Sequence, residues 1–504
     1  MEILKQRFGR YKEVYAASEI KEETVDVIVP DSNPDYEREI CTYAVTKVTE
    51  KSMLSGSLRV SGDLRAFTHY DSQASENMYL VSAESKFGYS FDIPGGLPDD
   101  TVSVTFSVLS ASAEVLNSRK IRIKAKIAAQ IAVYRMENIE VSEDACGRHG
   151  DGINVKTENV EQNSCIDIAE KRMNFTEEIG LSEDEIAKFA RITRWDWSWL
   201  KEEIKILQNK TMVRGVVKLT VYGCAADGVK IDSKEYILPF SQVVECKNVC
   251  ETDDVEISFT NGCCFAHIVS KDDTNTCLVC EVAADINVHV YRKSDIKLLL
   301  DVYSTEFETD VRSEKVYIGQ SDSGHNEHIV CRGKLQTDND AKRILDSCAY
   351  VVCRHIRDNI KPTFYVNVLY EDGPGCVRSA RMIAECDADM PDNVIMSSVS
   401  CHVKSLKVSA ESAEIIADIE AELSARTKIG CMYDQIVVCN MDTSKTRQRR
   451  SKGNLILRYP EKDETVWDIA KYYGTTVAAV MAANNIDDEN KVDTDRLIMI
   501  PFVK

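Results

Sequence analysis

Two long stretches of strictly alternating apolar residues constrain the fold of this chain more than any other feature. In the first stretch, every second residue from Ile121 to Val133 is apolar, and a Tyr-Arg pair follows at Tyr134. The second stretch runs from Val282 to Val290 and ends in the same pair at Tyr291, 157 residues further on. Alternation with a period of two is typical of a half-buried β-strand. Its recurrence at this distance indicates tandem domains.

Other segments repeat in the same order. The starts Val60–Gly62 and Val213–Gly215 each open an alternating run. A third copy is less regular: Cys348–Val352 resembles Cys41–Val45, and an alternating strand covers Ile415–Ala425. Turn residues separate these runs and helical periodicity is scarce, which predicts three tandem β-sandwich-like units.

Composition shifts suggest where the units begin and end. The segment 146–164 is polar and contains glycine, and the segment 443–453 has no apolar residue but five basic ones. Both are predicted linkers, and the basic one is also a candidate interaction patch. The predicted division is β domain 1 at 1–145, a linker at 146–164, β domain 2 at 165–305, a connecting segment with β domain 3 at 306–442, a basic flexible linker at 443–453, and a C-terminal domain at 454–504.

Charge and hydropathy exclude several classes of function. The 504 residues carry a net charge of −20, which disfavours binding to nucleic acid or to an anionic membrane surface. We expect no membrane span, because no stretch approaches about 18 consecutive apolar residues. The N-terminal residues do not resemble a signal peptide, so we expect a cytoplasmic protein whose 18 cysteines are mostly reduced.

Motifs for catalysis are missing from the sequence. It contains no nucleotide-binding glycine loop, no H-E-x-x-H and no G-x-S-x-G, so we predict a protein that is not an enzyme and needs no cofactor. The best metal candidate is a group of thiols in the second unit. Cys280 lies in an alternating strand, where residues three apart face opposite sides, so structural thiols are favoured over a metal site. The group comprises Cys246, Cys250, Cys263, Cys264, Cys277 and Cys280.

Three tryptophans at a spacing of two, Trp195, Trp197 and Trp199, form an aromatic row on one strand face. Such a row fills a sandwich core or anchors a partner protein. The core interpretation is favoured because three indoles on one face suffice to fill it, and partner docking is the alternative.

The last fifty residues follow a different pattern. A short strand at Leu455 precedes a helix that is capped by Thr465 and stopped by Gly474, then a second helix capped by Thr476, then a strand from Leu497. This βααβ order, with the runs Asp463–Ala470, Tyr473–Val477, Asn484–Ile486 and Ile498–Pro501, resembles the LysM domain family.

The resemblance implies a shallow groove that binds N-acetylglucosamine-containing glycans or a partner. The loops before the first helix and after the second would line it, which assigns Asp463, Glu464, Thr465, Val466, Asn485, Ile486 and Asp487 to the groove. In this chain the segment Lys462–Thr465 lacks the glycine that the family usually has before Asp-Thr, and Asp493–Asp495 replaces the family's Pro-Gly-Gln turn before the last strand. Trp467 is a candidate sugar platform, but its position in the apolar stripe favours a core role.

The upstream units contain a group of shared runs: Val25–Asp35, Cys41–Val45, the Val60 and Val213 strand starts and the Tyr-Arg strand ends. With these runs the units resemble the SPOCS domains of sporulation proteins. Tandem SPOCS domains before a LysM domain imply a non-enzymatic scaffold of spore-coat assembly. Its LysM domain would contact the basement-layer coat ATPase, and other coat proteins are possible partners. The implied location is the mother-cell cytoplasm with recruitment to the forespore surface. The alternative is a peptidoglycan-binding protein of the cell wall or spore cortex.

Overall fold

The computed structural model describes residues 1–72, 75–225, 231–270, 276–337, 340–356, 359–373, 377–388, 395–447, 455–489 and 492–501. Over these ranges the chain is mainly β, with a small helical region near its C-terminus. The predicted fold class is confirmed. No helix in these ranges is long and apolar enough to cross a membrane.

The first unit contains six antiparallel strands in two sheets, with the orders β1-β6-β5 and β2-β3-β4. The strands are β1 (Glu2–Ile28), β2 (Arg38–Leu54), β3 (Ser57–Ser72), β4 (Ser75–Asp92), β5 (Thr101–Asn117) and β6 (Lys120–Cys146). The two sheets share one apolar cluster, in which Leu64 of β3 and Ile127 of β6 are both almost fully buried. They therefore pack as a sandwich.

The next two units repeat this connectivity. In the second unit the sheet orders are β7-β12-β11 and β8-β9-β10, and in the third they are β13-β18-β17 and β14-β15-β16. The second unit comprises β7 (Ile153–Gly180), α1 (Glu183–Lys188), β8 (Arg191–Leu207), β9 (Lys210–Cys224), β10 (Ile231–Glu245), β11 (Asp254–Ser270) and β12 (Thr276–Ser304). The third comprises β13 (Phe307–Gln336), β14 (Ala341–Ile356), β15 (Asn359–Asp372), β16 (Val377–Glu385), β17 (Ile395–Glu411) and β18 (Glu414–Thr446).

The alternating stretches found in the sequence are the last strands of their units. The apolar residues of the alternation from Ile121 to Val133 lie on β6 and are at most 3% exposed. The equivalent residues from Val282 to Val290 lie on β12 and are at most 2% exposed at the alternating positions. Each of these strands is the centre of its three-stranded sheet, which explains why its alternation is the most regular.

The Tyr-Arg strand ends hold an equivalent loop in the first two units. Arg135 donates two hydrogen bonds of 2.7 Å to the carboxylate of Asp100, whose side chain is 2% exposed. In the second unit Arg292 makes the same two bonds, also of 2.7 Å, to Asp253. A bidentate pair of this kind fixes the loop at one geometry.

The predicted linker at 146–164 differs from the structure. Strand β7 begins at Ile153, so most of that segment belongs to the first strand of the second unit. The segment is polar, as a solvated linker would be, but its residues Gln162 and Ser164 are buried within β7. Gln162 donates a hydrogen bond of 2.9 Å to the Ser294 hydroxyl.

The basic linker at 443–453 also begins inside a strand, because β18 extends to Thr446. The next residue, Arg447, is held in place: its backbone N–H donates to the Glu306 carbonyl at 2.8 Å, and its guanidinium donates to the Ser304 carbonyl at 2.7 Å. The rest of the predicted linker lies outside the described residues.

The long strands of the three units meet in shared apolar clusters. One cluster joins Val141 of β6, Leu298 of β12 and Ile318 of β13, and all three side chains are fully buried. A second contains Val302 of β12 and Ile436 of β18, together with residues of the first unit. The three units therefore share parts of their hydrophobic cores and are not independent domains joined only by linkers.

The C-terminal domain has the predicted strand–helix–helix–strand order. Its elements are β19 (Leu455–Arg458), α2 (Val466–Tyr473), α3 (Val477–Asn484) and β20 (Ile498–Pro501), and β19 pairs with β20. Thr465 caps α2, accepting a hydrogen bond of 3.2 Å from the Asp468 backbone, while Asp468 accepts one of 3.0 Å from the Thr465 backbone. Gly474 ends α2 in the left-handed conformation.

Candidate functional site

Two loops of the C-terminal domain lie side by side. The loop before α2 and the loop after α3 are joined by a backbone hydrogen bond of 3.0 Å, which the Val466 N–H donates to the Glu489 carbonyl. Each loop turns through one residue of positive φ, Asp463 at 66° and Asn485 at 51°. The structure thus brings together the two segments from which the groove was predicted.

The seven predicted groove residues differ in what they offer a ligand. Asp463, Asn485 and Asp487 are exposed, and Ile486 is half-buried beside them.

The other three residues have structural roles. Glu464 pairs with the Arg458 guanidinium and also accepts the Glu461 N–H at 2.9 Å. Thr465 is the helix cap, and the Val466 side chain is fully buried in the core. Ligand binding by these seven residues remains a prediction.

A cleft of about 280 Å³ lies beside the loop after α3. Asp487, Asp488 and Asp493 line it, together with Arg496. Sequence reasoning did not assign Asp488, Asp493 or Arg496 to the site. The signal in the sequence is the pair of acidic segments, Asp487–Glu489 and Asp493–Asp495, that precede the last strand. The cleft carries three carboxylates against one guanidinium, so it favours a ligand with positive charge.

Helix α2 attaches the C-terminal domain to the rest of the chain. Trp467 is 6% exposed, as its core interpretation predicted, and its indole N–H donates to the Asp301 carboxylate at 2.8 Å. The Tyr303 ring packs edge-on against Trp467, with 5.0 Å between the ring centroids. Both Asp301 and Tyr303 belong to β12 of the second unit, so Trp467 lies in an interface and is not available as a sugar platform.

Polar bonds complete the same interface. The Lys471 ammonium is 2.7 Å from both oxygens of Asp301. The Tyr303 hydroxyl donates to the Thr475 carbonyl at 2.7 Å. Arg447 adds a guanidinium over the Tyr303 ring, 5.9 Å from its centroid. The interface therefore satisfies the polar groups that it buries.

Comparison with known families identifies this region. Residues 461–501 match the LysM domain family. The C-terminal segment is a LysM domain. The matched range includes all seven predicted groove residues and the interface residues Trp467 and Lys471. No curated protein and no solved structure matches the chain.

The LysM domain uses different residues for attachment and for its groove. Its interface with the second unit is made by Trp467, Lys471 and Thr475, whereas the exposed groove residues are Asp463, Asn485 and Asp487. These three groove residues are therefore exposed while the domain is attached to the second unit.

The thiols of the second unit are mostly buried. Cys246, Cys263, Cys264 and Cys280 are at most 2% exposed, and Cys250 is exposed. Burial raises the pKa of the Cys280 thiol to about 12, so this thiol is protonated at neutral pH and is a poor nucleophile. Among the described residues no group of three or more His, Cys, Asp or Glu side chains is placed to hold a metal ion.

The tryptophan row packs against the core of the second unit. Trp195 is 7% exposed, and its indole N–H donates to the Cys264 carbonyl at 2.5 Å. Trp199 is stacked on Phe259 at 5.1 Å between centroids, and Trp197 is half-buried. Trp195 also meets Phe67 of the first unit edge-on at 5.3 Å, so it joins two units. Docking of an external partner on this row stays a prediction.

Proposed function

We propose that this protein is a non-enzymatic scaffold whose three β units carry a LysM domain that binds another macromolecule through its groove. LysM domains bind ligands and do not catalyse reactions. The observation that carries the proposal is the attachment of the LysM domain through Trp467 and Asp301, which leaves the groove loops exposed. A fixed module on a large body presents its ligand at a defined position, which is what a scaffold requires.

The charge of the groove favours a protein ligand with a basic surface. Asp463, Asp487 and Asp493 are carboxylates in or beside the groove, and a neutral glycan offers them no counter-charge. The SPOCS resemblance of the upstream units refines this proposal to spore-coat assembly. In that form the LysM domain contacts the basement-layer coat ATPase in the mother-cell cytoplasm, and the protein is recruited to the forespore surface.

Peptidoglycan is the second candidate ligand, because the LysM family match itself favours glycan binding. The cleft of about 280 Å³ has amide and carboxylate groups that could accept sugar hydroxyls. In that case the protein acts at the cell wall or the spore cortex.

Binding assays on the full-length chain separate the two candidates. The wild type is compared with the double variant Asp487→Asn, Asp493→Asn. Its control is Glu245→Gln, Glu308→Gln, which removes two exposed carboxylates from the second and third units. The ligands are the purified coat ATPase and insoluble peptidoglycan.

The scaffold proposal predicts ATPase binding that weakens about tenfold or more in the groove variant, is unchanged in the control, and falls with added salt. Retention on peptidoglycan without ATPase binding would replace this proposal with the glycan-binding one.

A further inference from the structure

The second strands of the three units share an irregularity at an equivalent position. A register shift occurs between Glu39 and Cys41 in β2, between Ile192 and Arg194 in β8, and between Ile344 and Asp346 in β14. The residue that follows each shift, Cys41, Arg194 or Asp346, lines one common cavity. Their cross-strand neighbours are His69, Tyr222 and Leu369, which line the same cavity. We call this space the junction cavity.

The junction cavity belongs to all three units. Besides these six residues it is lined by Leu109 of β5 and by Asn367 and Arg381 of β15 and β16. Its volume is about 50 Å³. A pocket for a sugar, a nucleotide or another drug-sized ligand has roughly 300 Å³ or more, so such ligands are excluded. Since one water needs about 10–15 Å³, the cavity has room for about three to five.

Two buried polar atoms at the cavity make no hydrogen bond of normal length and angle within the described part of the chain. His69 is 2% exposed, and its Nε2 makes no hydrogen bond of normal length and angle, although the Thr193 backbone lies close to the ring. Asp346 is 5% exposed, and its Oδ1 is unpaired. The other ring nitrogen of His69, Nδ1, lies 3.4 Å from the Cys41 sulfur. Unpaired polar atoms in a protein interior require an explanation, and an occupied cavity supplies one.

The charges at the junction disfavour an ion. The Arg194 guanidinium is 2.7 Å from Asp346 and 2.8 Å from Asp196, so two carboxylates already neutralise it. The Arg381 guanidinium pairs with Glu39 at 3.3 Å, so both arginines that line the cavity already have carboxylate partners. A cation beside Asp346 would meet the Arg194 guanidinium. Among the described residues no set of side chains is placed to hold a metal ion here. The remaining candidate occupant of the junction cavity is a small neutral molecule that can both donate and accept hydrogen bonds.

We propose that the junction cavity holds a cluster of ordered water molecules that hydrogen-bond to His69 Nε2 and Asp346 Oδ1 and connect the three β units. Water serves either tautomer of His69, because it donates to a bare nitrogen and accepts from an N–H. The cluster links the first unit, through His69, to the third unit, through Asp346. Arg194 of the second unit pairs with Asp346 at the same place.

Crystallography of the full-length chain tests this directly. We expect two or more ordered waters in the junction cavity, with at least one within about 3.2 Å of each of the two atoms. The same crystals under xenon pressure should show no xenon there, because xenon enters dry apolar cavities. An empty cavity, bound xenon, or a protein group bonded to both atoms would overturn the proposal.

A pair of variants tests it in solution and in crystals. His69→Gln keeps a polar side chain in the cavity, and His69→Phe removes it. The Gln variant should retain the water cluster and a thermal midpoint close to that of the wild type. The Phe variant should lose at least one water and unfold at a lower temperature. Equal midpoints with an unchanged cavity structure would contradict the role assigned to His69. If the Phe variant fails to fold, the wild-type crystals still decide the question.

Discussion

The indole nitrogen of Trp467 donates a hydrogen bond of 2.8 Å to the carboxylate of Asp301, 166 residues earlier in the chain. The same carboxylate receives the Lys471 ammonium at 2.7 Å. One residue of the second β unit therefore holds two residues of the LysM helix α2. Because Trp467 also belongs to the core of the LysM domain, the folding of that domain and its attachment are coupled.

Substitution of Asp301 should release the LysM domain. In Asp301→Ala, a buried indole N–H and an ammonium lose their acceptor, which should reduce stability by about 1–3 kcal/mol. We expect faster protease cleavage between the third unit and the LysM domain, and a change in Trp467 fluorescence.

The matched control is Asp144→Ala. Asp144 lies 157 residues before Asp301 and, like Asp301, accepts a hydrogen bond of 2.8 Å from the backbone N–H of the next residue. It pairs with Lys297 and not with the LysM domain. If both variants were cleaved equally fast at the LysM junction, Asp301 would not be the attachment point.

Trp195 should stabilise the contact between the first two units. Trp195→Ala removes a buried indole that meets Phe67 at 5.3 Å and bonds to the Cys264 carbonyl, and we expect a loss of about 3–5 kcal/mol. Leu200→Ala is the control on the same strand, because Leu200 is 58% exposed and its loss should change stability by less than about 0.5 kcal/mol. Chemical denaturation measures both, and similar losses would refute the assigned role of Trp195.

The strands and their repetition were predictable because alternation is a local property of the sequence. The alternating residues from Ile121 to Val133 are buried by their own sheet, so their pattern needs no knowledge of distant partners. The helix caps Thr465 and Gly474 were predictable for the same reason, since each acts within one turn of its own helix.

The contacts between units were not predictable, because they depend on tertiary packing. The polar composition of the segment 146–164 predicts a linker, but Gln162 is buried and donates a hydrogen bond to the Ser294 hydroxyl. Nothing near Asp301 in the sequence indicates that its partner is Trp467. The LysM groove was partly predictable: the loops followed from the family resemblance, but the contribution of Asp493 and Arg496 to the cleft depends on how the chain returns to β20.

The two bidentate arginine pairs should contribute similar stability. We expect Asp100→Asn and Asp253→Asn each to lose about 1–3 kcal/mol, because each removes the charge of a buried carboxylate that holds its loop against Arg135 or Arg292. The Arg135 guanidinium lowers the pKa of Asp100, so this contribution is present above the unfolded pKa of about 3.9 and is lost as the pH falls below it.

Asp31→Asn is the control for these pairs, since Asp31 is fully exposed and its ion pair with Arg119 is 3.3 Å long. Denaturant unfolding at pH 7 measures all three variants. If only one of the two variants, Asp100→Asn or Asp253→Asn, were less stable than the wild type, the two arginine pairs would not contribute equally to stability despite their equal geometry.

Acidification should weaken the junction of the three units through His69. Burial, with a smaller effect from the Arg194 guanidinium, lowers the pKa of His69 to about 4. The unfolded chain has a His pKa of about 6.5, so folding requires a neutral ring. The stabilisation is full above pH 6.5 and is lost as the pH falls towards 4, by up to about 3 kcal/mol.

The difference in unfolding free energy between wild type and His69→Gln isolates this effect from the carboxylates that titrate over the same range. Asp346 acts in the opposite direction, because burial raises its pKa and its protonation eases the cost of a buried charge. Since both proteins contain Asp346, its contribution largely cancels in the comparison. The wild type should lose stability relative to His69→Gln as the pH is lowered from 7 to 4, and a constant difference would show that His69 is not buried as a neutral ring.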